Sequence, residues 1–203
     1  MLMIVAFFGS FNPILTTHTG VAEQMAVKFG VKALFVPCSD FYAKKDLAPA
    51  RDRYKMLQLV CAENSNFLVS RVEIDYALEH DNHQLKTIET LRLLQKEFPD
   101  DEIRFCIGSD NYVKFPTDWT DWQELIEDYH PIILERTANE SIANPILRPF
   151  RNKIDVLGNL IHFEENGTSV RARIRDGESC RYLMPDCVWR YIHEHKLYLK
   201  EET

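Results

Sequence analysis

The N-terminal stretch Met3-Ile-Val-Ala-Phe-Phe-Gly-Ser-Phe-Asn-Pro13 carries the strongest indication of the fold. Its first six residues are all apolar, which is typical of a strand buried on both faces of a parallel sheet. The turn-forming residues Gly9 to Pro13 end this strand, and a helical pattern follows from His18 to Phe29. A buried strand, a tight turn and a helix in this order predict the first unit of an α/β sheet.

Strand and helix patterns alternate along the rest of the chain. Further strands are predicted at Lys32–Pro37, Phe67–Ile74, Ile103–Ile107, Pro131–Leu134 and Leu160–Phe163, and helices at Arg51–Ala62, Leu85–Phe98 and Asp186–His195. This alternation predicts βαβ units, whose right-handed crossovers give a parallel sheet. We therefore expect a single α/β domain over residues 1–203. It is a doubly wound, Rossmann-like parallel sheet with a small helical C-terminal part from about residue 165 to 203.

Composition and charge narrow the class of protein and its partners. The chain has 203 residues, of which 45% are hydrophobic and 27% are charged, so it is long enough to bury a large core. Its net charge of -7 gives no electrostatic reason to bind nucleic acid, and no apolar stretch approaches the roughly 20 residues of a membrane span. Five cysteines without a C-x-x-C spacing favour reduced thiols in a cytoplasmic protein. A monomer and a homo-oligomer are both compatible with this sequence.

Three polar segments lie where doubly wound sheets bind their ligands. They are Gly9-Ser-Phe-Asn12 with His18, Gly108-Ser-Asp110, and Thr168-Ser-Val-Arg171. The backbone of a tight turn and a helix start can bind an anion, and histidine or arginine can add hydrogen bonds to phosphate oxygens. Asp110 can accept from ribose hydroxyls or help to hold Mg²⁺. Each segment taken alone is also compatible with a plain turn, a helix cap or a solvated arginine.

Five segments of the chain match a family pattern in the correct order. They are Gly9–Ile14 with His18, Val36–Pro49 with Arg53 and Met56, Thr87–Leu91, Ile107–Asp110 with Phe115–Trp119, and Thr168–Ile192. Together they resemble the nicotinate and nicotinamide mononucleotide adenylyltransferases, which belong to the HxGH-type nucleotidyltransferase superfamily. The resemblance covers most of the chain and implies the Rossmann-like nucleotidyltransferase fold.

The same resemblance implies an activity and a set of site residues. The 5′-phosphate of nicotinate mononucleotide would attack the α-phosphorus of ATP, giving nicotinate adenine dinucleotide and pyrophosphate in NAD biosynthesis, with Mg²⁺ accompanying ATP. The small-molecule partners are thus ATP and a pyridine mononucleotide, and no residue is assigned as a dedicated metal ligand. The implied catalytic residues are His18, Lys45 and Arg171. The implied ATP-binding residues are Gly9, Ser10, Phe11, His18, Gly108, Asp110, Thr168, Ser169 and Arg171, and the implied mononucleotide-binding residues are Asn12, Lys44, Thr87, Thr90 and Trp119.

Departures from the family pattern leave alternatives open. Leu15 stands where many members have histidine or threonine, and Asn166-Gly167 replaces a pair of small residues. We expect activity, with a weakened or non-catalytic nucleotide-binding paralogue as the alternative. Nicotinamide mononucleotide or another phosphorylated acceptor, such as phosphopantetheine, is the alternative substrate. Trp119 is expected to stack on the pyridine ring, and Trp122 is the alternative for that contact.

Overall fold

The computed structural model describes residues 1–41, 46–135, 145–158, 160 and 166–199. Its strands are β1 (Met3–Gly9), β2 (Lys32–Pro37), β3 (Phe67–Val69), β4 (Glu102–Gly108), β5 (Ile132–Leu134) and β6 (Asp155–Leu157). They form a six-stranded sheet in the order β3-β2-β1-β4-β5-β6, and every neighbouring pair is parallel. The predicted doubly wound α/β fold is confirmed.

Helices connect these strands and cover both faces of the sheet. They are α1 (Thr16–Phe29), α2 (Ala50–Glu63), α3 (Val72–Glu79), α4 (Thr87–Glu97), α5 (Ser109–Tyr112), α6 (Phe115–Asp118), α7 (Trp122–Glu127), α8 (Gly167–Arg175) and α9 (Asp186–Glu194), with 3₁₀ helices at Arg148–Lys153 and Arg181–Leu183. None of the helices in the described part of the chain combines the length and the apolarity that a membrane crossing requires.

The two hydrophobic cores explain the uninterrupted apolar run of β1. Successive residues of a strand face opposite sides of the sheet. Val5 packs into the core with α1, α2, α8 and α9, whereas Ile4 and Ala6 pack into the core with α4 and α7. Val170 of α8 and Val188 of α9 are fully buried in the first core. The C-terminal helices therefore pack directly on the sheet's own core.

The third strand is shorter than the sequence predicts. The predicted range Phe67–Ile74 is wrong in its second half, because Ser70 ends β3 and α3 begins at Val72. The Ser70 hydroxyl accepts the Val72 N–H at 3.2 Å, in the manner of a helix cap. The carboxylates of Glu73 and Asp75 in the first turn also favour a helix start at this point.

The sixth strand lies earlier in the chain than predicted. Leu160 is not part of a strand, and the rest of the predicted strand Leu160–Phe163 lies outside the described residues. The strand that pairs with β5 is β6, in which Val156 lies opposite Ile133. A strand of three residues offers too little periodicity to be predicted from sequence.

The two central strands separate at their carboxyl ends. β1 pairs with β4 from Met3 opposite Glu102 to Ala6 opposite Phe105. Beyond this point β1 continues beside β2 as far as Gly9, while β4 pairs with β5. In a doubly wound sheet the ligand site lies where the strand order reverses, and the separation of β1 from β4 opens the sheet at that point.

Candidate active site

Two cavities flank the end of β1, and the segment from Phe7 to Ser10 lines both of them. The first has a volume of about 670 Å³, lies between the separated ends of β1 and β4, and is called here the β4-side cavity. The second, of about 550 Å³, lies between the turn after β1 and α8, and is called the α8-side cavity. Both volumes are in the range of small-molecule sites. The molecule thus has room for two ligands that meet at Gly9 and Ser10.

Most of the site residues that the sequence predicts line one of these cavities. The α8-side cavity is lined by Gly9, Ser10, Phe11, Asn12, His18, Thr168 and Arg171. The β4-side cavity is lined by Gly9, Ser10, Thr87, Gly108 and Trp119. Lys44 and Lys45 lie outside the described residues. Thr90, Asp110 and Ser169 have other surroundings, which are described below.

The turn after β1 is shaped by Phe11. Its φ of 44° lies in the left-handed region, which reverses the chain sharply. The ring is 2% exposed and meets Phe7 and Phe35 edge to face. A Cβ added at Gly9 would lie 3.0 Å from Phe11 Cζ, so glycine lets the ring lie beneath the turn. Phe11 therefore presents its backbone to the α8-side cavity, and its ring belongs to the core.

His18 is oriented by the backbone at the start of α1. The Leu15 N–H donates to His18 Nδ1 at 2.9 Å, so Nδ1 is the acceptor and the ring proton is carried by Nε2. The ring also meets Phe11 edge to face, with 5.5 Å between the ring centroids. Leu15 provides no side-chain cap, and His18 satisfies the Leu15 N–H in its place. The ring lines the α8-side cavity, and Nε2–H is its hydrogen-bond donor.

Asn12 uses its side chain to join the turn after β1 to the segment that follows residues 42–45 and to Tyr198. Its Nδ2 donates to Asp46 O at 2.8 Å, and its Oδ1 accepts from the Ala48 N–H at 3.0 Å and from the Tyr198 hydroxyl at 2.8 Å. The amide thus holds these segments in place, and its contact with a mononucleotide stays a prediction.

Arg53 is a second buried positioning residue. Its side chain is fully buried, and it donates to Ala48 O at 2.8 Å, to Ser10 O at 3.0 Å and to Asp40 Oδ1 at 3.0 Å. One guanidinium thus joins the turn after β1 to the segments before and after residues 42–45. The sequence indicated Arg53 only through the family resemblance, because burial of an arginine cannot be recognised from its neighbours in the chain.

The start of α8 is capped by Asn166. Its Oδ1 accepts the N–H groups of Thr168 and Ser169, both at 3.0 Å. The Ser169 hydroxyl in turn donates to Asn166 O at 2.9 Å. Ser169 thus takes part in the cap, and its contact with ATP stays a prediction. Thr168 has its hydroxyl beside Arg171 Nη2, at 3.3 Å.

Arg171 is fixed against the turn after β1. Its Nη1 donates to Asn12 O at 2.9 Å, and its Nε is buried without a hydrogen-bond partner among the described residues. A Cβ added at Gly167 would lie 2.9 Å from Asn12 O and 3.2 Å from Arg171 Nη1. The departure from the family pattern at Gly167 therefore accompanies a close approach of α8 to the turn.

Asp110 lies against the end of β4. A Cβ added at Gly108 would be only 2.5 Å from Asp110 Oδ1, so the absence of a side chain at Gly108 allows the carboxylate to fold over the backbone. Asp110 is exposed, whereas Gly108 lines the β4-side cavity. The described residues contain no group of three or more His, Cys, Asp or Glu side chains that could hold a metal ion.

The structure separates the two candidate tryptophans. Trp119 lines the β4-side cavity and packs on Phe115, with 4.9 Å between the ring centroids. Trp122 packs edge to face on Phe150 and is not among the residues that line this cavity. Trp119 is therefore the ring that a ligand in the β4-side cavity can contact.

Glu73 is a cavity residue that the sequence analysis missed. It lines the β4-side cavity together with Thr87, and burial, partly opposed by the Thr90 hydrogen bond and by Arg53, raises its pKa from 4.5 to about 7. Thr90 is fully buried and donates its hydroxyl to Glu73 Oε1 at 3.0 Å. The contact of Thr90 with a ligand stays a prediction, and in the structure its hydroxyl bonds to Glu73. The helical spacing of α3 was the available signal, and it was misread as a strand.

A family model and the relatives of this chain indicate the same family. The cytidylyltransferase-like family model matches residues 6–174. A Salinibacter ruber protein named "Probable nicotinate-nucleotide adenylyltransferase" is 36% identical, with 95% of each chain covered. A Corynebacterium glutamicum protein of the same name is 31% identical, over 95% of this chain and 87% of the relative.

A solved structure supports the same fold. Plasmodium falciparum nicotinic acid mononucleotide adenylyltransferase complexed with NaAD superposes with a TM-score of 0.71 at 18% identity, and 98% of each chain is covered. At this identity the likeness concerns the fold, and the relatives above carry the family assignment. The chain belongs to the cytidylyltransferase-like family and, within it, to the nicotinate-nucleotide adenylyltransferases.

Proposed function

We propose that this protein transfers the adenylyl group of ATP to nicotinate mononucleotide, giving nicotinate adenine dinucleotide and pyrophosphate, a reaction of NAD biosynthesis. The observation that carries the proposal is the pair of cavities that meet at Gly9 and Ser10. One cavity presents the hydrogen-bond donors His18 and Arg171, and the other presents the aromatic ring of Trp119. Phosphate-binding groups and a ring-stacking surface on either side of one turn suit two nucleotides that react through their phosphates.

The α8-side cavity binds the phosphates of ATP. His18 Nε2–H and the Arg171 guanidinium donate to phosphate oxygens, and the Thr168 hydroxyl adds a neutral donor. The N-terminus of α1 adds its positive dipole end, since Leu15 provides no side-chain cap there. The buried Nε of Arg171 supports this assignment, because a phosphate oxygen is a suitable acceptor for it.

The reaction needs positioning more than proton transfer. A phosphate oxygen of the mononucleotide forms a bond to the α-phosphorus of ATP, and the bond to the pyrophosphate oxygen breaks on the opposite side. The attacking phosphate is already anionic, so no general base is required. His18 and Arg171 act by donating to oxygens on which negative charge increases in the transition state. By the family resemblance, Lys45 is also proposed to add positive charge near these phosphates.

Mg²⁺ is the proposed metal, bound together with ATP. The donor set fits this ion, because Mg²⁺ is commonly held by one or two carboxylates and by substrate phosphates rather than by an all-protein site. Asp110 is the carboxylate proposed to assist it, or else to accept from the ribose hydroxyls. When bound, the ion would neutralise phosphate charge during the transfer.

The β4-side cavity binds the mononucleotide. Trp119 stacks on the pyridine ring and Thr87 contacts the ligand, while Lys44 contributes positive charge under the family resemblance. Asn12 and Thr90 act indirectly, through their contacts with Arg171 and Glu73.

All five cysteines lie in the described part of the chain and are thiols rather than disulfides, which supports the proposed cytoplasmic location. The protein is proposed to work on small molecules rather than nucleic acid, as a single domain and as a monomer or homo-oligomer.

The test is an assay of product formation with purified protein. Protein, MgATP and nicotinate mononucleotide are incubated together, and dinucleotide and pyrophosphate are quantified by chromatography. His18→Ala is expected to lower kcat by about 10²- to 10³-fold, as for the loss of one transition-state donor, whereas His83→Ala, at an exposed position, is the matched control. Failure of the native protein to form dinucleotide would refute the proposed reaction. Near-normal turnover of His18→Ala would refute the role of that residue.

A further inference from the structure

The β4-side cavity contains a carboxyl group for which the proposed transfer reaction has no use. Glu73 is not needed for phosphate binding, and it lies in the wall that also contains Thr87 and Trp119. Under the proposed function this cavity holds the pyridine ring of the acceptor. The substituent on that ring is a carboxylate in nicotinate and a carboxamide in nicotinamide, so a carboxyl group nearby does not interact with the two acceptors equally.

We propose that Glu73 determines which pyridine substituent is accepted: its ionised form selects the carboxamide, and its protonated form selects the carboxylate. An ionised carboxyl accepts hydrogen bonds only, so it can bind the carboxamide NH₂ and repels a second carboxylate. A protonated carboxyl can donate its O–H to the nicotinate carboxylate, in a charge-assisted hydrogen bond. This inference rests on the proposed function, because it needs a pyridine mononucleotide in the β4-side cavity.

The hydrogen bonding of Glu73 allows it either to accept from a carboxamide or, when protonated, to donate to a carboxylate. Thr90 donates to Glu73 Oε1 at 3.0 Å, and each carboxyl oxygen has further acceptor capacity for a ligand. With Thr90 held at Oε1, the oxygen that can carry a proton is Oε2. Lys86 O lies 3.3 Å from the same hydroxyl and competes, at the longer distance, for its single hydrogen.

The surrounding charges are small in number and of both signs. Arg53 of α2 favours the ionised form of Glu73 and is not among the residues that line the cavity. Lys86, just before α4, and Asp118 of α6 line the same cavity. On α3 itself, Asp75 is paired with Arg71 at 2.9 Å and is half exposed. Because burial raises the pKa of Glu73 to about 7, its charge changes within the pH range in which the protein can be studied.

The sign of the pH dependence follows directly. As the pH rises through about 7, Glu73 loses its proton, binding of nicotinate mononucleotide weakens and binding of the nicotinamide compound strengthens. The ratio of the two dissociation constants isolates this effect, since both acceptors carry the same phosphate and meet the same phosphate-binding groups. We expect the ratio of the nicotinate to the nicotinamide dissociation constant to rise on the order of tenfold between about pH 6 and about pH 8.

The experiment measures both dissociation constants by isothermal titration calorimetry across this pH range. Glu73→Gln has the same shape and cannot ionise, so we expect its ratio to be independent of pH. At high pH this ratio should be lower than that of the native protein, because the variant does not repel the nicotinate carboxylate. In Thr90→Val, the lost hydrogen bond no longer favours the ionised form, so the midpoint of the change moves to higher pH. Asp75→Asn is the matched control and is expected to keep the native pH dependence.

The outcomes separate this inference from the proposed function. A ratio that varies identically with pH in the native protein and in Glu73→Gln would overturn the role of Glu73, as would a native ratio independent of pH. Binding of neither mononucleotide by the native protein would overturn both proposals. Dinucleotide formation, measured separately, tests the reaction alone, because the binding ratio does not depend on turnover.

Discussion

Replacing Tyr198 with phenylalanine removes a single hydroxyl from the contacts that hold the turn after β1. This hydroxyl donates to Asn12 Oδ1 at 2.8 Å, and the same oxygen also accepts the Ala48 N–H at 3.0 Å. Asn12 therefore keeps a partner in the variant, and no buried acceptor is left empty. We expect a loss of unfolding free energy of about 1 kcal/mol, the usual net value of one neutral hydrogen bond. For a chain of this length, Tm should fall by roughly 2–4 °C.

The Tyr198→Phe substitution should also weaken the binding of ATP. Asn12 also accepts from Arg171 Nη1 through its backbone oxygen, at 2.9 Å, so a loosened Asn12 loosens Arg171. We expect the KM for ATP to rise about fivefold, which corresponds to about 1 kcal/mol. Burial raises the pKa of Tyr198 well above its usual range. The hydroxyl therefore remains a donor throughout the assay range, and the effect should be the same at about pH 7 and about pH 9.

Calorimetric melting and initial rates at varied ATP concentration measure these two effects. The matched control is Tyr182→Phe, since Tyr182 is 87% exposed and its hydroxyl is in water. If Tyr198→Phe resembled Tyr182→Phe in both Tm and KM, the hydroxyl would have no part in holding the turn. A lowered Tm with an unchanged KM would separate stability from the site and refute the link through Asn12.

Two further predictions concern the ring-stacking surface and the interior of α1. Trp119→Ala should raise the KM for the mononucleotide by about 5- to 150-fold, the equivalent of roughly 1–3 kcal/mol of stacking, in steady-state assays. Trp122→Ala removes the packing on Phe150, so it should lower Tm and leave that KM unchanged. If Trp122→Ala raised the KM and Trp119→Ala did not, Trp122 would be the ring that stacks on the ligand. Gly20→Ala should raise the unfolding free energy by up to about 1 kcal/mol in a denaturant titration, because a Cβ there meets nothing within 4 Å. Destabilisation by this substitution would show that the packing around α1 is tighter than described.

The parts of the fold that could be predicted from sequence are those governed by local pattern. The run Met3 to Phe8 is apolar because β1 is covered on both faces, and that signal is present in the residues themselves. The third strand was predicted too long, because Val72 and Ile74 fit a strand as well as they fit a helix over so short a span. The hydrogen bond from the Val72 N–H to the Ser70 hydroxyl, at 3.2 Å, favours the helix start, and periodicity cannot show it.

The candidate site divides in the same way. Its backbone framework, Gly9 to Asn12 and the start of α8, follows from residue types that form turns and caps. The side-chain orientations of Thr90 and Glu73 cannot be predicted in this way, because the same family motif is compatible with a hydroxyl that faces the ligand or faces α3. Burial of Glu73 beside Arg53 depends on the packing of α2 on α3 and the sheet, which involves residues distant in sequence. Long-range contacts of this kind are the part that sequence reasoning could not supply.

Asn12 joins parts of the chain that are made at very different times. It accepts from Arg171 and Tyr198, which follow it by 159 and 186 residues. At about 5–20 residues per second, the synthesis of Tyr198 follows that of Asn12 by roughly 10 to 40 s. Because the turn after β1 is translated before Arg171 and Tyr198, the hydrogen bonds that hold it cannot all form until both residues have been added. Until then Asn12 lacks its contacts with Arg171 and Tyr198.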